Sequence, residues 1–220
     1  MLTPAVTGLW QRTHKHYNMN NNLADLFSAT YHIEHLLPEV GTIAGPGSTL
    51  EHTKYLQERL LIFFKKHHIN SIFDAGCCDC NWMSTLVDQF EYHGGEISRT
   101  VVEHLQKNNP TLDIVWHDVT TDPLPAVDLL FVRDVAIHLN TADKQRLISN
   151  WISSEISWIL MTQDDLIVNS DFEYNPETFP ESQVNWMATP WNFPAPTDIL
   201  LESENGNNRK LALWHRSQLL

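Results

Sequence analysis

From Ser71 onward, short apolar runs alternate with amphipathic stretches, the pattern of a parallel sheet whose strands are joined by crossover helices. The runs predict strands at 71–75 (SIFDA), 92–97, 112–116 (LDIVW), 127–132 (VDLLFV) and 157–162 (SWILMT). Between them, helices are predicted at 81–90, at 99–108 behind Ser98 as cap, and at 141–153, where Leu147, Ile148, Trp151 and Ile152 share a face. Upstream, Gly45-Pro46-Gly47-Ser48 breaks the chain. Ser48 with Glu51 three positions later fits a capping box for a helix over 49–67, whose apolar face carries Leu56, Leu60, Phe63 and Phe64. Near the end the pattern changes: Asp198 to Glu202, the turn Asn205-Gly206-Asn207-Asn208 and Lys210 to His215 predict a terminal antiparallel hairpin. The expected class is α/β, a mostly parallel sheet with helices on both faces.

Two segments stand outside that alternation. Residues 1–44 read as an N-terminal irregular or helical cover, with the polar run Asn18 to Asn22, and residues 45–220 as a single domain. Within that domain about thirty residues, 164–196, are rich in Pro, Asn and aromatics; they are too long for a plain connector and predict a lid. Length and composition agree with one packed domain: 220 residues, 42% apolar and 19% charged. Charge narrows the partners. Fourteen Lys and Arg against 27 Asp and Glu leave −13, a field that repels phosphate backbones and anionic lipid, so nucleic acid is not an expected partner. No apolar run approaches the roughly 18 residues of a membrane span, and no secretory signal pattern opens the chain, so the expected location is cytoplasmic.

Candidate chemistry concentrates after the first strand, in DAGCCDCNW (74–82). In parallel α/β sheets, ligands bind at the carboxyl ends of the strands. The glycine spacing of a dinucleotide site is absent. An acid (Asp74) ends the strand instead, followed by Gly76, small residues at 78 and 80, and Asp79. All three cysteines, Cys77, Cys78 and Cys80, fall here; they are too close and too odd in number for a disulfide framework. No second Cys/His pair completes a zinc site, so they read as reduced thiols chosen for small size.

The loop resembles motif I of the class I S-adenosylmethionine-dependent methyltransferases, acid-x-Gly-x-Gly-x-Gly, with Cys78 and Cys80 where glycines are usual. Cysteine is tolerable there if those positions avoid positive φ. The acid at the next strand end, Glu96, follows Asp74 by 96 − 74 = 22 residues, close to the family spacing. GPGST (45–49), DAGCCDCNWM (74–83), DVTTDPLPAVDLLFVRDVAIHL (118–139) and PWNFPAP (190–196), in this order, look like a compact bacterial and viral group associated with glycan modification. The resemblance implies a Rossmann-like, seven-stranded methyltransferase fold and S-adenosyl-L-methionine as cofactor. That cofactor carries an amino acid and a sulfonium rather than phosphate, which accounts for acids in the loop. Asp74, Gly76 and Cys78 would meet it, Glu96 its ribose, and Asp118 and Val119 its adenine. Arg133 and Arg59 would serve its carboxylate, and Ser48, with Thr49 beside it, would touch it. Ser48 as a helix cap, Arg59 as an exposed helix cation and Arg133 in a surface ion pair are the alternatives.

For the transfer itself, Asp134 and His138 follow the fourth strand; were Asp134 to open a helical turn, the two would share a face. His138 is then the candidate base and Asp134 its partner, against a cap and a packing residue. Asp164 and Asp165 allow a Mg²⁺ site to be imagined, but the resemblance does not require one and no metal is expected. In the lid, Trp186, Trp191 and Phe193 alternate with Asn169, Asn185 and Asn192, suited to a sugar ring or equally to a small core of their own. The expected function is O-methylation of a sugar or other small hydroxylated acceptor. A methyltransferase on another small acceptor and a noncatalytic cofactor-fold binding protein remain the alternatives.

Overall fold

The computed structural model describes residues 23–30, 41–174, 181–204 and 209–220. Seven strands form one sheet in the order β3-β2-β1-β4-β5-β7-β6. They are β1 (Ser71–Ala75), β2 (Glu91–Glu96), β3 (Ile114–Trp116), β4 (Leu129–Val132), β5 (Trp158–Asp164), β6 (Asp198–Leu201) and β7 (Arg209–His215). The first five pair in parallel, while β7 runs antiparallel between β5 and β6. The predicted tip of that hairpin, Asn205 to Asn208, lies outside the described residues.

Among the described residues four α-helices accompany the sheet: α1 (Leu23–Thr30), α2 (Leu50–Lys66), α3 (Arg99–Asn108) and α4 (Thr141–Ser153). Strand alternation divides the core into two layers. On one face Leu56, Leu60, Phe63 and Phe64 of α2 and Val101, Val102 and Leu105 of α3 pack on Ile72, Leu129, Phe131 and Leu160. The other face sets Leu147, Ile148 and Trp151 of α4 and Phe27 of α1 against Phe73, Leu130, Val132 and Ile159. Every residue of β4 is buried, as expected of a central parallel strand covered on both sides. Among the described residues no helix is long and apolar enough to cross a membrane.

Several expectations need correcting. Residues 81–90 form no α-helix, only two short 3₁₀ turns, Met83–Thr85 and Val87–Gln89. Hydroxyls bond back to nearby carbonyls here, Ser84 Oγ to Asn81 and Thr85 Oγ1 to Trp82, competing with the i to i+4 ladder. The cap of α2 is Thr49, whose side chain accepts from His52, and not Ser48, which lies in a 3₁₀ turn (Pro46–Ser48). Ser98 occupies the cap position of α3 without a side-chain cap bond. Strand ends move by a residue or two: β3 and β4 begin two residues late, and β5 continues to Asp164, where Asp164 N donates to Val184 O.

Candidate active site

The ends of β1 and β4 and the Gly45–Ser48 turn converge on one recess, lined by Ala44, Ser48, Asp74, Gly76, Cys77, Cys78, Asp79, Asn81, Trp82, Phe131 and Arg133. Its floor is the loop after β1. Gly76 N and Cys77 N both donate to Gly95 O, at 2.7 and 3.2 Å, tying the loop to β2. Gly76 has φ +74°, and a Cβ there would lie 2.4 Å from Val135 Cγ2. Cys78 and Cys80 also hold positive φ, 47° and 55°. The expectation that cysteines at these positions avoid the left-handed region is therefore overturned: the backbone keeps the glycine conformation under cysteine side chains.

The three thiols are free and buried. Burial, reinforced by the Asp74 carboxyl, pushes the Cys77 thiol well up and that of Cys80 to about 12, so both stay protonated and poorly nucleophilic. Asp74 itself is buried, with Oδ2 accepting from the Tyr92 hydroxyl at 3.0 Å. Burial raises its carboxyl to about 7, while Tyr92 and Arg133 pull the other way. Glu96 is buried too, and burial likewise raises it to about 7. Its Oε2 accepts from Cys78 N at 3.0 Å and its Oε1 from Ser98 N at 2.8 Å. A carboxylate offers about four lone-pair sites, so both oxygens keep acceptor capacity.

The roof, residues 42–48, hangs from the floor by side chains that no local pattern announced. Asp79 accepts from Thr42 Oγ1 and Ile43 N, at 3.0 and 2.8 Å, and Asn81 Nδ2 donates to Ser48 O. Arg133 closes the side wall: its guanidinium donates to both Glu202 carboxylate oxygens, at 3.0 and 3.2 Å, and to Gly47 O. Arg133 is therefore in the recess, in a buried pair rather than a surface one. Arg59 is not brought to it. Its guanidinium sits 3.4 Å over the Tyr55 ring and beside Glu58 on α2.

Asp118 accepts from Thr120 N and Oγ1, closing a turn after β3, and Val119 beside it is buried in the α4-side core. Neither lines the recess. Asp134 opens no helical turn. Its φ is +57°, and a 3₁₀ turn (Ala136–His138) follows. Thr162 Oγ1 accepts from Asp134 N and donates to its Oδ1, and Arg209 donates to Oδ1 at 3.3 Å. Asp134 is thus held by Thr162, Arg209 and Arg133 rather than by His138, which ends the 3₁₀ turn half-buried. Asp164 is buried, bonded by Val184 N and facing Arg209, and Asp165 pairs with Lys210. Among the described residues no cluster of three His, Cys, Asp or Glu is arranged to hold a metal ion.

In the predicted lid, described residues 165–174 and 181–196 contain no helix or strand. Trp186 is fully buried with Nε1 donating to Thr162 O, and packs on Trp191, Phe193 and, through Phe193, Trp214. Asn185 is consumed by Gln163, Leu166, Asn169 and Met187. Trp186 is thus core of the segment, while Asn185 is half-buried with its side chain bonded to Gln163, Leu166 and Met187. Trp191 differs: it is half-buried, and its Nε1 is a buried donor without a partner among the described residues.

This sheet order, with one reversed strand and an acid-lined loop after β1, is the Rossmann-like fold of class I S-adenosylmethionine-dependent methyltransferases. Solved structures bear this out. The methyltransferase domain of a bacterial Hen1 protein (CtHen1-CN) aligns with TM-score 0.53 at 12% identity, over 76% of this chain and all of that one. An S-adenosylmethionine-dependent methyltransferase from Clostridium acetobutylicum gives 0.55 at 10%, over 73% of this chain and 90% of that one. Magnesium protoporphyrin IX methyltransferase from Synechocystis, with bound SAH, gives 0.54 at 13%, over 76% and 84%. At such identities the likeness is one of fold. No family model matches the chain, and no curated protein matches it.

Proposed function

We propose that the chain is an S-adenosylmethionine-dependent methyltransferase acting on the oxygen of a small hydroxylated acceptor, sugars included. The observation that supports this best is the acid-floored recess at the carboxyl end of β1, lined by Asp74, Gly76, Cys78 and Asp79. Its donor set suits a cationic amino acid linked to a nucleoside. Asp74 and Asp79 complement an ammonium and a sulfonium, and would repel phosphate. When bound, the cofactor supplies an electrophilic methyl group on sulfur.

In this reading Asp74, with Gly76 and Cys78 at close backbone approach, holds the cationic end, and Arg133 and Ser48 border its carboxylate. Glu96 takes the ribose hydroxyls with its remaining lone pairs, and Asp118 and Val119 flank the adenine. The acceptor lies between the turn after β4 and the 181–193 segment. His138 removes the acceptor proton, the half-buried Trp191 ring borders the acceptor, and Asp134 borders it as a fixed carboxylate. An in-line displacement asks the chain mainly for alignment and for a place to put that proton.

The test is transfer of labelled methyl groups to a panel of sugars and small alcohols. His138→Ala should lower turnover by about 10²-fold or more while S-adenosylhomocysteine affinity holds. Full turnover in that variant would remove His138 from catalysis. Cofactor binding with no transfer to any acceptor class would favour the binding-protein alternative.

A further inference from the structure

The loop after β1 spends two residues in a conformation cysteine adopts at a cost, and for Cys80 the structure contains a reason. Cys80 Sγ lies 3.0 Å from the Tyr92 hydroxyl, and that hydroxyl lies 3.0 Å from Asp74 Oδ2. A phenol has one proton. If it donates to the carboxylate, its oxygen accepts from the thiol, which burial keeps protonated. The three groups then form a polar chain with one direction, thiol to phenol to carboxylate. All three residues are buried. Tyr92, Gly94 and Glu96 alternate along β2, and Gly94 is the register partner of Asp74, which puts the phenol directly beneath the floor of the recess.

We propose that Tyr92 and Cys80 are positioning residues of the cofactor site: their donor relay holds the Asp74 carboxylate in the ionised, inward-facing form that a cationic ligand needs. Glycine at position 80 would fit the backbone better and would break the relay, so sulfur chemistry of an unreactive kind accounts for the departure from glycine. The inference rests on the proposed cofactor reading and adds two residues to it.

Groups that face Asp74 are Tyr92 and Glu96 from β2, Arg133 from the end of β4, and Cys77 and Cys80 from the loop itself. Burial raises the Asp74 carboxyl to about 7, and the Tyr92 hydrogen bond opposes that rise. Removing the phenol therefore moves ionisation of Asp74 to higher pH.

The experiment is calorimetric titration of the full chain with S-adenosylmethionine from pH 6 to 9, for wild type, Tyr92→Phe, Cys80→Ser and Cys80→Ala, with circular dichroism confirming folding. Tyr92→Phe should bind about tenfold more weakly at pH 6, the loss of one hydrogen bond to a charged group, and recover to within about twofold at pH 9. Cys80→Ala should move the profile the same way, and Cys80→Ser, which keeps a donor, should restore it in part. An equal loss at every pH, or none, would make the phenol and thiol packing groups and overturn the relay. The free protein supplies a second readout: the pH dependence of its denaturant stability should move upward in Tyr92→Phe. Failure of wild type to bind, with that shift present, would sink the cofactor reading and leave the relay standing; absence of the shift would sink the relay.

Discussion

Gly76 is the point at which the floor of the recess tolerates least. Replacing it by alanine adds one methyl group in two unfavourable ways. The backbone stands at φ +74°, where an L side chain costs about 1–2 kcal/mol. The new Cβ also falls 2.4 Å from Val135 Cγ2, so Val135 must turn or the loop must shift, an overpacking cost of about 1–3 kcal/mol. Together Gly76→Ala should destabilise the fold by about 2–5 kcal/mol, read from denaturant melts by linear extrapolation. The steric share can be isolated, because Val135→Ala removes the colliding atom and leaves the dihedral cost. The double variant should therefore recover about 1–3 kcal/mol relative to the sum of the single changes. A Gly76→Ala protein within 0.5 kcal/mol of wild type, or no coupling to Val135, would refute the stated geometry of the loop.

Two further outcomes follow from the same loop and its acids. At position 78, φ 47° penalises any Cβ, so Cys78→Gly should be more stable than Cys78→Ala by about 1–2 kcal/mol; equal stability of the two would remove the strain from the account. Asp74 and Glu96, raised by burial from their ordinary 3.8 and 4.5 to about 7, each hold a proton in the native state that the unfolded chain has shed. Their contribution therefore favours folding near pH 4, declines as pH rises toward 7 and is flat above. For Asp74 the decline is at most about 4 kcal/mol, and should appear as a pH-dependent difference between wild type and Asp74→Asn melts. A difference independent of pH would show that Asp74 is not raised.

The legible parts of the molecule were those whose pattern is local. SIFDA, LLFV and WILMT are apolar on both faces, and they became β1, β4 and β5 because a central parallel strand is covered on both sides. The acids at the ends of β1 and β2 were likewise readable, since strand ends can be counted. What stayed hidden depends on long-range contact. Glu202 reaches Arg133 across 69 positions, and Asp79 reaches Thr42 across 37, with no periodicity to betray either pair. Tyr92 carried a usable signal, its alternation with Gly94 and Glu96 on one face of β2. The lid aromatics could not be sorted from composition, because a ring that lines a recess and one that fills a wall look alike in sequence. Segment 81–90 misled for a different reason: its apolar residues suit a helix, but the hydroxyls of Ser84 and Thr85 bond back into the turns before them.

The most direct test of the central claim is titration of the full chain with S-adenosylhomocysteine at pH 6 and pH 8. One molecule per chain should bind, with Kd below about 100 µM at pH 8 and several-fold weaker binding at pH 6, where Asp74 and Glu96 carry protons. Asp74→Asn should weaken the pH 8 value and flatten the pH dependence. No binding heat at either pH with ligand at about 1 mM, from protein whose melt confirms folding, would contradict the assignment of this recess to the cofactor.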